Sequence, residues 1–203
     1  LPAADVAALR VVGEQHSLVA EHLRDHERAR DPADADAAHA AAVSANLDRR
    51  ALVDAVWEAT NGPDQLLLGA SRLIREADAW APAKLLNIYS NRGLAGIDGT
   101  VATATGIALV EREGTTRAVM GDLTLLHDVG SLAIDPEDGD LNIQIIVGND
   151  NGGTIFEGLE MAQTLDSATF ERLFKTPQQV DIWHLAQAYG WKYFRVETRD
   201  EFN

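Results

Sequence analysis

Two short acidic segments constrain this 203-residue chain more than any other feature. Met120-Gly121-Asp122-Leu123 follows one apolar run, and Gly148-Asn149-Asp150-Asn151-Gly152-Gly153 follows the next. Asp122 and Asp150 lie 28 positions apart, room for one helix and one strand. A strand–helix–strand unit of that size lays two parallel strands side by side and brings their ends together. Two carboxylates and a glycine carbonyl at neighbouring strand ends can grip one hard cation. With helix N-termini nearby, such a cation is suited to holding a diphosphate. Taken singly, each segment reads equally well as a turn whose acid caps the following helix.

The rest of the chain supports that unit. From Gln65 onward, strands are expected at 65–69, 85–89, 117–121, 141–147 and 193–197, with helices at 98–110, 123–134 and 180–189. The alternation predicts an α/β fold, a mostly parallel sheet with helices on both faces. Ligands of such sheets sit at the carboxyl ends of the strands, where both acids fall. Residues 1–60 differ. They are alanine-rich, with Val6, Leu9, Val12, Leu18 and Leu23 at roughly helical spacing. A second helical stretch covers 36–60 and stops at Asn61-Gly62-Pro63. This part is expected to be helical throughout, with no strand. The chain thus divides into a helical segment, 1–60, and an α/β domain, 61–203. At Asn203 a further helix and strand would be expected to finish the layer, so that domain reads as truncated at its C-terminus.

Seventeen basic against 32 acidic side chains give a net charge of −15. That field argues against nucleic acid and anionic membranes as partners. No apolar run approaches the roughly 18 residues that span a bilayer. The absence of cysteine fits a reducing, cytoplasmic setting. An anionic ligand would then need local positive groups, and Arg72, Arg75 and Arg92 are placed for that.

A second constellation, Ser90-Asn91-Arg92-Gly93-Leu94-Ala95-Gly96-Ile97-Asp98-Gly99-Thr100, carries three spaced glycines ahead of a helix. These let backbone approach a ligand, or let a helix pack closely on a sheet. His22 and His26, one helical turn apart, read as a solvated helix face, and His127, in the helix after Asp122, reads equally as a packing or site-supporting residue or as a catalytic one. The four tryptophans read as core or interface anchors.

Ser90–Thr100, Met120-Gly121-Asp122-Leu123-Thr124, and Asn149–Gly153 with Ile155-Phe156 together resemble the thiamine-diphosphate enzymes. More narrowly, they resemble the SEPHCHC synthases of menaquinone biosynthesis. The resemblance spans about residues 65–197. The wider family carries Gly-Asp-Gly at the metal motif, and Leu123 in place of the last glycine is what the synthase subfamily shows.

The resemblance implies a diphosphate-binding domain over 61–203, preceded by the tail of a central domain and a linker. Thiamine diphosphate would lie against Gly96, Ile97, Gly121, Asp122, Leu123, Thr124, Asp150, Gly152, Gly153 and Ile155. Mg2+, or Mn2+ in its place, would be held by Asp122, Asp150 and the Gly152 carbonyl. Many relatives carry asparagine where Asp150 stands, which leaves Asn149 or Asn151 as substitutes. Ser71, Arg75 and Arg92 would bind substrate carboxylates, and Ile155 and Phe156 would line a ring pocket.

The implied reaction decarboxylates 2-oxoglutarate and adds the product to isochorismate, in a cytoplasmic homodimer or homotetramer. The activating glutamate belongs to a pyrimidine-binding domain of the same or a neighbouring subunit. No such domain is legible here, so the chain is expected to be a fragment with no catalytic residue of its own, inactive alone. Two alternatives stand beside this: another thiamine-diphosphate enzyme, such as an acetohydroxyacid-synthase-like decarboxylase, or a non-catalytic module of the same fold.

Overall fold

The computed structural model describes residues 7–12, 47–94 and 96–202; for 7–12 and Asp200 it describes backbone alone. Six strands form one parallel sheet: β1 (Ala7–Val12), β2 (Gln65–Leu68), β3 (Asn87–Tyr89), β4 (Thr116–Gly121), β5 (Ile143–Gly148) and β6 (Lys192–Val196). Their order is β3-β2-β4-β5-β1-β6. Helices α1 (Arg49–Ala59), α2 (Arg72–Trp80), α3 (Thr100–Val110), α4 (Asp122–His127), α5 (Glu160–Thr164), α6 (Ser167–Phe170), α7 (Ile182–Ala188) and α8 (Arg199–Phe202) connect or follow them.

The central strands are apolar almost throughout because both of their faces are covered. Successive side chains point to opposite faces, and the core divides accordingly. Leu67, Ala118, Met120, Ile143, Ile145 and Val147 pack with α3, α4 and α7 on one side. Leu66, Leu68, Val119 and Ile146 pack with Leu52 and Val56 of α1, Leu73 of α2 and Phe202 of α8 on the other.

The helical reading of residues 7–12 is corrected. Ala7–Val12 is a strand, paired in parallel with β5 on one side and β6 on the other. A short apolar run such as Ala-Ala-Leu-Arg-Val-Val fits either period, and two open strand neighbours satisfy its backbone better than solvent does. Helix α1 falls within the expected second helical stretch, capped by Asp48, whose Oδ1 accepts from the Ala51 N–H at 2.7 Å. The remainder of the first stretch, with His22 and His26, lies outside the described residues. Between 123 and 134 a short helix gives way to a 3-10 turn, Val129–Leu132, in place of one continuous helix. The Trp191 indole N–H donates to the Leu132 carbonyl at 2.8 Å, securing that turn in the core.

Asp64 ties the start of β2 to β4. Its carboxylate accepts from the Asn61 N–H at 2.9 Å, the Thr115 N–H at 2.8 Å and the Arg117 Nη1 at 2.8 Å. Burial pushes this carboxyl up, but those donors and the Arg117 charge outweigh it and hold the group below its usual range. Asp64→Ala is expected to cost about 2–3 kcal/mol at pH 7, from three lost hydrogen bonds. A lowered carboxyl contributes stability above its unfolded pKa and loses it as pH falls through the folded one. Urea titrations should therefore show the gap between variant and wild type shrinking below about pH 4.

Candidate functional site

In the β4–β5 register Gly121 stands opposite Gly148, so the residues after them leave the sheet side by side. Asp122 opens α4 immediately beyond Gly121, and Asp150 follows Gly148 by two positions. The two carboxylates sense each other. Burial pushes the Asp122 carboxyl up to about 6, the Asp150 charge adds to the rise, and N–H groups of Leu123, Gly152 and Asp122 itself pull against it. Thus Asp122, Asp150 and Gly152 converge at one sheet edge.

The loop that carries Gly152 is held by backbone. Gly152 sits at φ +122°, and a Cβ there would meet the Lys175 carbonyl oxygen at 2.2 Å. The Gly153 N–H donates to that same carbonyl at 2.6 Å. The segment 171–175 therefore needs both glycines for its close approach. Asn149 Oδ1 accepts from the Asn151 N–H at 3.1 Å, and Asn151 Oδ1 from the Gln178 N–H at 3.2 Å. Both asparagines are engaged in shaping the loop, whereas Asp150 lies near enough to Asp122 for its charge to act there.

Arg49 and Thr154 had no place in the sequence reading, yet both contact Asp150. Arg49 Nε donates to Asp150 Oδ2 at 2.8 Å, Nη2 reaches the same oxygen, and Thr154 Oγ1 donates to it at 2.6 Å. A separation of 101 residues hides the first of these partners from any local pattern. Thr154 was within reach of such a pattern: it is four residues beyond Asp150, where a side-chain bond across a tight turn is common.

The other expected residues occupy the same edge. Ser71 follows β2 and initiates α2 at φ 95°, a backbone state rare for a side-chain-bearing residue. Arg75, exposed one turn on, bends back to the Ser71 carbonyl. Arg92 is exposed beyond β3. The ends of β2 and β3 are tied by Ser90, whose hydroxyl donates to the Leu68 carbonyl at 2.9 Å. Arg72 pairs with Glu76 at 3.4 Å, and its buried Nη2 meets no hydrogen-bond partner among the described residues.

Gly96 and Ile97 are half-buried in the loop before α3, and Gly99 turns into that helix at φ +66°. The N-terminus of α3 is already served by an acid, since Asp128 Oδ2 accepts from the Ala102 N–H at 2.9 Å. Leu123 and Thr124 lie in α4, half-buried and buried respectively. Ile155 and Phe156 belong to the 3-10 turn Thr154–Gly158, with the Phe156 ring edge-on to Phe174 at 6.0 Å.

This donor set fits one kind of cation. Among the described residues no cluster of three His, Cys, Asp or Glu exists, so protein side chains alone would leave a metal short of ligands. Magnesium commonly takes one or two carboxylates and completes its six oxygens with phosphate and water. A buried carboxyl raised by a second carboxylate is stabilised by a cation placed between them. The site suits a metal that arrives with a diphosphate.

Comparison with known proteins agrees with the geometry. Residues 75–203 match the family model for the C-terminal TPP-binding domain of thiamine pyrophosphate enzymes, and the chain belongs to that family. Its curated relatives narrow the resemblance. The 2-succinyl-5-enolpyruvyl-6-hydroxy-3-cyclohexene-1-carboxylate (SEPHCHC) synthase of Clavibacter michiganensis is 54% identical over 171 residues, covering 81% of this chain and 29% of the relative. The synthase of the same name from Leifsonia xyli is 48% identical over 188 residues, covering 87% and 32%. The chain thus spans about a third of the length of the relatives it matches. Among solved structures, the thiamine diphosphate-dependent 4-hydroxybenzoylformate decarboxylase of Rhodococcus jostii superposes with a TM-score of 0.62 at 19% identity. That match covers 78% of this chain and 29% of the decarboxylase. It shows a shared fold.

Proposed function

We propose that this chain is the diphosphate-binding part of a SEPHCHC synthase, a transferase of menaquinone biosynthesis. The complete enzyme would decarboxylate 2-oxoglutarate and join the remaining four-carbon unit to isochorismate, with release of carbon dioxide. The observation that carries the reading is the convergence of Asp122, Asp150 and the Gly152 N–H at the ends of two adjacent parallel strands. The names of relatives 42–54% identical to the chain select this enzyme from others of the fold.

In this reading Asp122, Asp150 and the Gly152 carbonyl hold Mg2+, or Mn2+, and the backbone around Gly121, Leu123, Thr124 and Gly153 approaches the diphosphate. Ile97 supports the cofactor from the α3 side, beside Gly96, and Ile155 from the opposite loop. Thiamine diphosphate supplies, when bound, a thiazolium ring that accepts the electron pair left by decarboxylation. Ser71, Arg75 and Arg92 hold substrate carboxylates, a role suited to guanidinium forks in an acidic protein. Ile155 and Phe156 wall the pocket for the cyclohexadiene ring. The protein's contribution here is positioning. Residues 61–203 make up most of the diphosphate domain, to which the preceding stretch adds strand β1 and helix α1, and a pyrimidine-binding domain of the same or a neighbouring subunit completes the site in a cytoplasmic dimer or tetramer. Among the described residues no helix is long and apolar enough to cross a membrane.

The test uses the full-length protein with thiamine diphosphate and Mg2+, following carbon dioxide release from 2-oxoglutarate or pyruvate, with and without isochorismate. Consumption of 2-oxoglutarate and isochorismate together supports the reading. Preference for pyruvate would assign the chain to an acetohydroxyacid-synthase-like enzyme. Absence of metal-dependent cofactor binding in calorimetry would leave a non-catalytic module.

A further inference from the structure

We infer that Arg49 is a positioning residue of the cation–diphosphate site, locking the Asp150 carboxylate through Oδ2 so that Oδ1 is the oxygen presented beside Asp122. The inference rests on the reading of that site given above. Among the described residues three hydrogen bonds reach Asp150, and all land on Oδ2: Arg49 Nε at 2.8 Å, Arg49 Nη2, and Thr154 Oγ1 at 2.6 Å. Arg49 Nη2 also donates to Thr154 Oγ1 at 2.6 Å, which closes a ring of three residues around one oxygen. An oxygen engaged by three donors has little lone-pair density left for a metal, whereas Oδ1 takes none of these bonds.

The grip is built from buried parts. The Arg49 and Asp150 side chains are 16% and 19% exposed, so the pair escapes most of the screening that makes surface ion pairs weak. Arg49 is the first residue of α1, one turn before Leu52, and Leu52 packs where the α1 face meets Gly148 of β5. That contact sets the distance from helix to strand end. A rigid helix thereby delivers a guanidinium to a loop 101 residues away.

Charge gives the grip its purpose. Two carboxylates leave neighbouring strand ends at this edge, since Gly121 stands opposite Gly148, and like charges so placed repel each other. Asp150 carries a charge that an amide would not. Arg49 returns one positive charge to the site, so an incoming metal–diphosphate pair meets one net negative charge instead of two.

The test measures Mn2+ binding to the full-length apoprotein, by paramagnetic resonance of the free ion, with saturating thiamine diphosphate. Wild type is expected to bind Mn2+ and Asp122→Asn to lose it. If wild type fails to bind, the site reading falls and this inference falls with it. Where wild type binds, Arg49→Met is expected to weaken Mn2+ about tenfold, the usual scale for a residue that orients a metal ligand. In an Asp150→Asn background the same change should alter binding by less than about twofold, because an amide needs no counter-charge. Equal losses in both backgrounds, no loss in either, or tighter binding by Arg49→Met would each overturn the inference; the last would show Arg49 competing with the ion. Thermal unfolding of each apoprotein checks its fold. Should Arg49→Met fail to fold, Arg49→Lys, which keeps the charge but not the fork, is expected to lose part of the affinity, and full affinity would count against the proposal.

Discussion

Replacing Gly152 with alanine should destabilise the protein by about 4 kcal/mol and abolish cation-dependent cofactor binding, from combined backbone strain and overpacking. Two effects add. The residue sits at φ +122°, where a β-carbon is strained wherever it points. A Cβ would also lie 2.2 Å from the Lys175 carbonyl oxygen, which is backbone and cannot rotate aside. Relieving the clash requires residues 171–175 to withdraw, breaking the 2.6 Å bond from the Gly153 N–H. It also shifts the Gly152 N–H away from Asp122. Gly62→Ala separates the two causes. Gly62 has φ +50° with no atom within 4 Å of a built Cβ, so it should lose only about 1 kcal/mol, the cost of a left-handed alanine. Urea unfolding of the two variants gives the comparison. Similar losses at both positions would mean that the approach of residues 171–175 does not constrain the loop.

Asp122→Asn should move stability and binding in opposite directions. Burial, reinforced by the Asp150 charge, puts the Asp122 carboxyl at about 6 in the folded protein against 3.8 for the free group. A carboxyl raised in the folded state holds its proton more tightly there than in the unfolded chain. Stability is therefore undiminished below pH 3.8, falls as pH rises between 3.8 and 6, and stays reduced above. The full penalty is on the order of 3 kcal/mol, from about two pH units at 1.36 kcal/mol each. An asparagine avoids the charge while its carbonyl can still accept from the Leu123 and Gly152 N–H groups. In metal-free buffer with chelator, the variant should be more stable than wild type at pH 7.5 and little different at pH 4. Mg2+-dependent binding of thiamine diphosphate should fall by two orders of magnitude or more, the carboxylate being a direct ligand in the proposed site. A variant less stable than wild type at pH 7.5 would show that the carboxylate is stabilised in the apoprotein by something other than a bound cation.

The pattern of alternating strands and helices is local, and it was legible. The runs at β2, β4, β5 and β6 stand where hydrophobic periodicity and turn residues place them, because parallel strands buried on both faces need near-continuous apolar sequence. The juxtaposition of Asp122 and Asp150 was legible for the same reason: a strand–helix–strand unit leaves little choice about which ends meet. Helix α2 escaped the reading because it is only nine residues long, four of them charged (Arg72, Arg75, Glu76 and Asp78), and Ser71 enters it from an unusual backbone angle. Strand β1 escaped it because six residues are too few to separate period 2 from period 3.6.

Sequence alone determined four of the strands, the parallel sheet they build and the acidic pair at its edge, because each depends on residues within about 30 positions of one another. Only the tertiary structure decided what stands around that pair. That Ala7–Val12 fills the place between β5 and β6, that Lys175 backbone presses on Gly152, and that Arg49 takes hold of Asp150 are consequences of packing between distant segments. Such contacts are chosen by the shape and charge of the assembled sheet, and no periodicity in the chain announces them.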